Sequence, residues 1–264
     1  MSWEVIRLEL TRYYMTGNEC FQRGKFFSPT GVMLHSTGAN NPRLSRYVQP
    51  NDGRLGENPY ENHFNTLRPG GRKVCPHAVI GKLADGSVAI YQLLPWEMAG
   101  WHAGGSANDT HIGFELCEDA LTDGVYFHQI YRKAVELTAH LCREFHLDPL
   151  KDGVVLCHSE GYRRGIASNH ADVLHWFPHH GKSMDDFRAD VAQTMKQEAS
   201  MTQEQFDTMM EHWLERQNQK QPTQVWMTDG VERAKRAGIS DGSRPLGLCT
   251  RAEAMMMAAA AKKQ

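Results

Sequence analysis

The chain has 264 residues, enough for one large domain or for one domain with a small appendage. Its 41% hydrophobic and 23% charged residues, with 23 Gly and 11 Pro, fall in the ordinary globular range, which excludes global disorder, collagen and coiled coil. Lys+Arg (29) and Asp+Glu (31) nearly cancel, so there is no basic field for a nucleic-acid partner, and no apolar run is long enough to insert stably in a membrane.

In chain order, Met1 to Arg7 carries neither a basic region leading into an apolar one nor a small-residue cleavage site, so no secretory signal is read and a cytoplasmic product is expected. Gly31–His35 reads as a buried strand that releases His35 into the polar loop Ser36–Pro42. Ala78–Leu83 and Val88–Leu94 flank Asp85-Gly86, a hairpin signal. In the strand His111–Cys117, alternation puts Ile112, Phe114 and Leu116 on one face and Gly113, Glu115 and Cys117 on the other. Apolar positions recurring at three to four residues from about Phe127 to Phe145 predict an amphipathic helix. Val154–His158 is then a strand ending on a histidine, followed by a long loop, Ser159–Asp172. His179-His180, beside Pro178, reads as a solvated turn. Ser183-Met-Asp-Asp186 resembles a capping box and opens a helix to about Met195. A polar helix from Thr202 to Gln219 and a linker, Lys220–Gln224, lead to a last segment of helix, turn-rich loop and helix. Strand runs alternating with helical patterns make the first part an α/β domain.

Six scattered cysteines without a CxxC predict reduced thiols rather than a disulfide framework or a zinc ribbon. Histidine is unusually frequent at 14, and imidazole is the commonest metal ligand. His35 and His158 end two strands that can meet at one sheet edge, and the loop beyond His158 can return His170 or Asp172 as a third ligand. Three protein ligands with one open position is the arrangement of catalytic zinc, and Glu115 on a neighbouring strand is then a candidate base. Taken singly, a histidine at a strand end is more often a hydrogen-bonded structural residue than a ligand.

Five segments appear together in order: Val32-Met-Leu-His-Ser-Thr-Gly38, His77-Ala-Val-Ile-Gly81, Trp101-His-Ala-Gly104, Ile112-Gly-Phe-Glu-Leu-Cys117, and Cys157-His158 with Ala167-Ser-Asn-His-Ala-Asp172. This set resembles the type 2 N-acetylmuramoyl-L-alanine amidases, a family sharing its fold with phage lysozymes and peptidoglycan recognition proteins. The resemblance covers roughly residues 20–190, and the block Gly165–Pro178 is similar to phage and prophage endolysins. It implies a central mixed β-sheet flanked by helices, a zinc cofactor and hydrolysis of the amide between N-acetylmuramic acid and L-alanine in peptidoglycan. Carried over residue by residue, it implies zinc on His35, His158 and Asp172, and Glu115 as general base. His170, two before Asp172, matches the position that stabilises the oxyanion, a role worth about 2.7–4 kcal/mol, with His170 as zinc ligand in place of Asp172 the alternative. Some relatives use a Tyr just before the His77 segment; Pro76 stands there. Trp101, His102 and His77 are expected at the substrate groove, with Trp101 equally able to anchor the core.

The expected organisation is a zinc amidase domain over 1–198, a helix and linker over 199–224, and a small helical C-terminal module over 225–264. That module resembles one surface-layer-homology unit, which implies cell-wall binding; on its residues alone it packs as an appendage or forms a homodimer through Met255, Met256 and Met257. The resemblance implies a bacteriolytic endolysin, and with no secretory signal read it is expected to stay in the host cytoplasm until a holin-like partner opens the membrane. Two other readings stay open: a recognition module that binds peptidoglycan without cutting it, and a zinc peptidase acting within the stem peptide.

Overall fold

The computed structural model describes residues 8–49, 53–59, 63–199, 203–219, 225–243, 254–256 and 258. The expectations for Met1–Arg7, for the Lys220–Gln224 linker, for the Thr250 start of the last helix and for Met257 lie outside these residues. The chain divides into two compact units, Met1–Ala199 and Ser200–Gln264. The second carries the two helices Gln203–Asn218 and Val225–Arg236, and its Met255 and Met256 are exposed.

The first unit is built on a six-stranded sheet: β1 (Leu10–Arg12), β2 (Gly31–Ser36), β3 (Ala78–Lys82), β4 (Val88–Gln92), β5 (His111–Leu116) and β6 (Val155–Cys157), in the order β1-β4-β3-β5-β2-β6. Only β3 and β4 are antiparallel, joined through Asp85-Gly86 with Gly86 at φ 86°; the other pairs are parallel. All six residues of β2 are buried, as expected of a strand in a parallel region covered on both faces. β2, β5 and β6 run the same way, so their carboxyl ends open on one edge, where α/β folds place their sites.

One face carries Leu34, Ile80, Phe114 and Leu116 against the long helix α2 (Gly124–Glu144) and the helix α4 (Met184–Ala199). α2 begins three residues before the periodic pattern because Asp123 caps it, accepting from the Val125 and Tyr126 amides at 3.0 Å each. Trp176 and Phe177 are fully buried here. The His179-His180 turn is not simply solvated: the His180 ring stacks on Phe127 at 4.1 Å between centroids.

The opposite face holds two apolar clusters. One gathers Met15, Leu44, Val79, Tyr91 and Cys117, the other Met33, Ala103, Ala107 and Leu156. Three short elements were not read from the sequence: β1, the helix α1 (Glu19–Arg23) and the helix α3 (His158–Arg163). His158 therefore opens α3 rather than closing β6, and the first part of the expected loop is helical, ending at Gly165 with φ 72°.

Candidate metal centre

Three side chains converge at the carboxyl edge of the sheet. His35 comes from β2, His158 from the β6–α3 junction and Asp172 from the chain returning past α3, where the Ser159 amide donates to the Asp172 carbonyl at 3.2 Å. His35 Nδ1 lies 2.9 Å from His158 Nδ1; Asp172 Oδ2 lies 3.5 Å from the first and 3.3 Å from the second. Among the described residues this trio forms the one group of His, Cys, Asp or Glu that could hold a metal ion. Both histidines are buried and Asp172 is partly exposed, leaving one side open.

The outer nitrogens of both imidazoles are already engaged. His35 Nε2 lies 2.9 Å from His102 Nδ1, and His102 Nε2 donates to the His111 carbonyl at 3.0 Å. A carbonyl only accepts, so the His102 proton sits on Nε2, its Nδ1 accepts, and His35 carries its own proton on Nε2. On the other side the Ser168 hydroxyl donates to the Ala103 carbonyl at 3.1 Å and accepts from His158 Nε2 at 3.2 Å and His170 Nδ1 at 3.1 Å. Two bare Nδ1 lone pairs thus face each other at 2.9 Å, an arrangement a cation between them relieves. Ligands on a tetrahedral zinc with bonds of about 2.0–2.1 Å stand about 3.3–3.4 Å apart; the two distances to Asp172, 3.5 and 3.3 Å, match this, while the two imidazoles at 2.9 Å would part slightly around the ion, so the donor set fits zinc in type.

The charges follow from the packing. Burial lowers the His35 pKa, offset in part by Asp172. Burial would raise the Asp172 carboxyl, but its place against the two histidines outweighs that and holds it well below the usual range; with both Nδ1 atoms unprotonated, it is a cation in their midst that would supply this pull. Glu115 is the register partner of His35 on β5, on the same face. Its Oε2 is buried without a hydrogen-bond partner among the described residues, and burial, then Asp172 and Glu118, raise its pKa well above the usual value against a lowering by Arg72. Glu115 thus stands on the strand beside His35, near enough to Asp172 to feel its charge, with one carboxyl oxygen unengaged among the described residues.

His170 is exposed, with its ring 4.5 Å from that of His158, and it stands outside the trio. Trp101 is half-buried: its backbone pairs with Cys75 at 2.9 Å in both directions, and Lys73 Nζ lies 5.3 Å from its ring centroid. Two residues expected at the groove are elsewhere. His77 is fully buried, its Nε2 donating to the Met98 carbonyl at 2.7 Å and its Nδ1 accepting from the Gly113 amide at 3.0 Å, so no ring nitrogen is left for substrate. His102 is 8% exposed and lies behind His35 rather than at the rim. Sequence reasoning missed Ser168 and also Asn108, whose Oδ1 accepts from the His102 and Ala103 amides at 2.9 and 2.8 Å. For the inward place of His102 a signal was available in Gly113, a glycine inside a β-strand, which marks a close approach.

The family model for N-acetylmuramoyl-L-alanine amidase matches residues 25–180. Among solved structures, the Staphylococcus aureus hydrolase AmiA in complex with its ligand is similar at 15% identity and a TM-score of 0.52, over 71% of this chain and 83% of that one. A mutant endolysin from Bacillus subtilis is 22% identical at a TM-score of 0.46, over 70% and 99% of the two chains. The N-acetylmuramoyl-L-alanine amidase LysC from Clostridium intestinale is 16% identical at 0.42, over 70% and 98%. A comparison with curated proteins found no match.

Proposed function

The chain belongs to the N-acetylmuramoyl-L-alanine amidase family, and on that premise we propose that it cleaves the lactyl–L-alanine amide of peptidoglycan with a zinc ion held by His35, His158 and Asp172. The observation that carries this reading is the convergence of three ligand atoms beside the unpartnered oxygen of Glu115, all within the segment the family model matches. Bound there, zinc supplies a Lewis acid that polarises the scissile carbonyl and acidifies water.

The protein's own groups do the rest. His35 and His158 offer neutral imidazole donors held by His102 and Ser168, and Asp172 adds one negative charge, leaving the site net positive. Glu115 takes the proton of the attacking water and hands it to the departing alanine nitrogen, the paired role of one placed general acid–base group; a cation on the trio would counter the burial that raises its pKa. His170, at the exposed side, donates to the developing oxyanion. Trp101 offers an aromatic face to glycan or peptide.

In the cell this activity suits a bacteriolytic endolysin, kept in the cytoplasm until a membrane-permeabilising partner gives access to the wall. The Ser200–Gln264 unit is assigned to wall attachment. No helix among the described residues is long and apolar enough to cross a membrane.

The test is digestion of purified peptidoglycan with and without a chelator, with products identified by mass spectrometry. Chelator-sensitive release of intact stem peptides beginning with L-Ala is the expected result. Retention on the wall without release, with zinc and several wall chemotypes supplied, would overturn the assignment.

A further inference from the structure

We propose that His102 is a positioning residue that fixes the metal-binding tautomer of His35, rather than a contact for substrate. This rests on the zinc reading above and adds to it the group that orients one of the ligands.

The argument starts from the backbone. The His111 carbonyl accepts from His102 Nε2 at 3.0 Å, which leaves Nδ1 of His102 as an acceptor only. His35 Nε2 at 2.9 Å must then donate, and its lone pair is confined to Nδ1, the atom that faces His158 and Asp172. The ring of His102 meets that of His35 edge-on, 5.0 Å between centroids.

Three features hold His102 there. Asn108, in a 3-10 turn at Ser106–Asp109, ties down the His102 and Ala103 amides. The His77 ring packs against it at 5.7 Å. Gly113 on β5 leaves room for the ring: a Cβ there would fall 2.1 Å from His102 Nδ1 and 2.2 Å from its Cγ. Gly113 is therefore glycine because an imidazole occupies the space over it, and its replacement would push His102 away from His35. With both ring nitrogens spent and 8% of its surface exposed, His102 has nothing to offer a glycan.

The experiment measures zinc affinity by competition with a chromophoric chelator, and the visible spectrum of the cobalt-substituted protein, for wild type, His102→Ala, His102→Asn and Gly113→Ala. Loss of an outer-shell partner costs about 10–100-fold in metal affinity, and that loss is expected for His102→Ala and Gly113→Ala, with an altered cobalt spectrum. In His102→Asn the amide oxygen takes the place of Nδ1 as acceptor, so affinity and spectrum are expected to return close to wild type, with an unchanged KM for peptidoglycan. If Gly113→Ala does not fold, the two His102 variants decide. Wild-type zinc affinity and cobalt spectrum in His102→Ala, with a raised KM, would overturn the proposal and return His102 to substrate contact. Failure of the wild-type protein to bind zinc would instead overturn the metal site itself, so the two outcomes are distinguishable.

Discussion

Glu115 and Gln differ by one proton-accepting oxygen, so Glu115→Gln isolates the proton transfer at the site. The residue lies beside the ligand trio without belonging to it, and zinc affinity should stay near wild type. Stem-peptide release should fall about 10²–10⁴-fold, the usual worth of a placed general base. Zinc titration and timed digestion check both halves, and a variant that turns over normally sinks the role. That His35, His158 and Glu115 lie near one end of neighbouring strands could be read from sequence because each closes or nears the end of a short apolar run; between Asp172 and His170 the residues alone left the choice open, and the resemblance made it. His77 and His102 could not be placed the same way. A histidine in a Trp-His-Ala-Gly loop looks the same whether it faces solvent or a neighbouring imidazole, and the distinction depends on a glycine in another strand.

Among the elements, those carried by periodicity were legible: the β3–β4 hairpin, β2, β5, α2 and α4 fall within a few residues of their predicted bounds. β1, α1 and α3 are three, five and six residues long, too short for any hydrophobic period, and tertiary bonds hold them. α3 shows how. Arg188 of α4 forks onto Glu160 with two bonds of 3.1 Å and donates to the Val155 carbonyl at 2.9 Å, while Glu160 accepts from the Cys157 amide at 3.1 Å. Arg188→Ala leaves the Glu160 carboxylate with only the Cys157 amide among the described residues and removes a donor from the Val155 carbonyl, and should cost about 1.5–3 kcal/mol. Arg188→Lys keeps the charge but not the fork, and should recover part of it. Urea unfolding of the three proteins is the check; equal midpoints would show that α3 is held by something else.

On the scale of the whole molecule, the sheet keeps an uncommon load of neutral imidazole inside a protein. His35, His77, His102 and His111 are all held below the usual histidine pKa, burial being the first cause in each. For His77, at about 4, a proton would have to enter at Nδ1, where the Gly113 amide already points. The unfolded chain binds that proton near pH 6.5 and the folded one only near pH 4, so His77 contributes stability that is complete above pH 6.5 and lost as pH falls toward 4. Its full titration corresponds to about 3 kcal/mol. Glu115 acts in the opposite sense: its raised pKa makes the folded state bind a proton more tightly, so acid favours that group. The lowered imidazoles all lose stability as acid is added, and Asp172, held below the usual carboxylate range, acts in the same sense. In the metal-free protein the urea midpoint should therefore drop between pH 6.5 and 4. In His77→Gln, already weaker at pH 7, the slope over that window should be shallower by up to one proton, about 1.4 kcal/mol per pH unit. Equal slopes in the two proteins would mean that the buried imidazole is not what acid attacks.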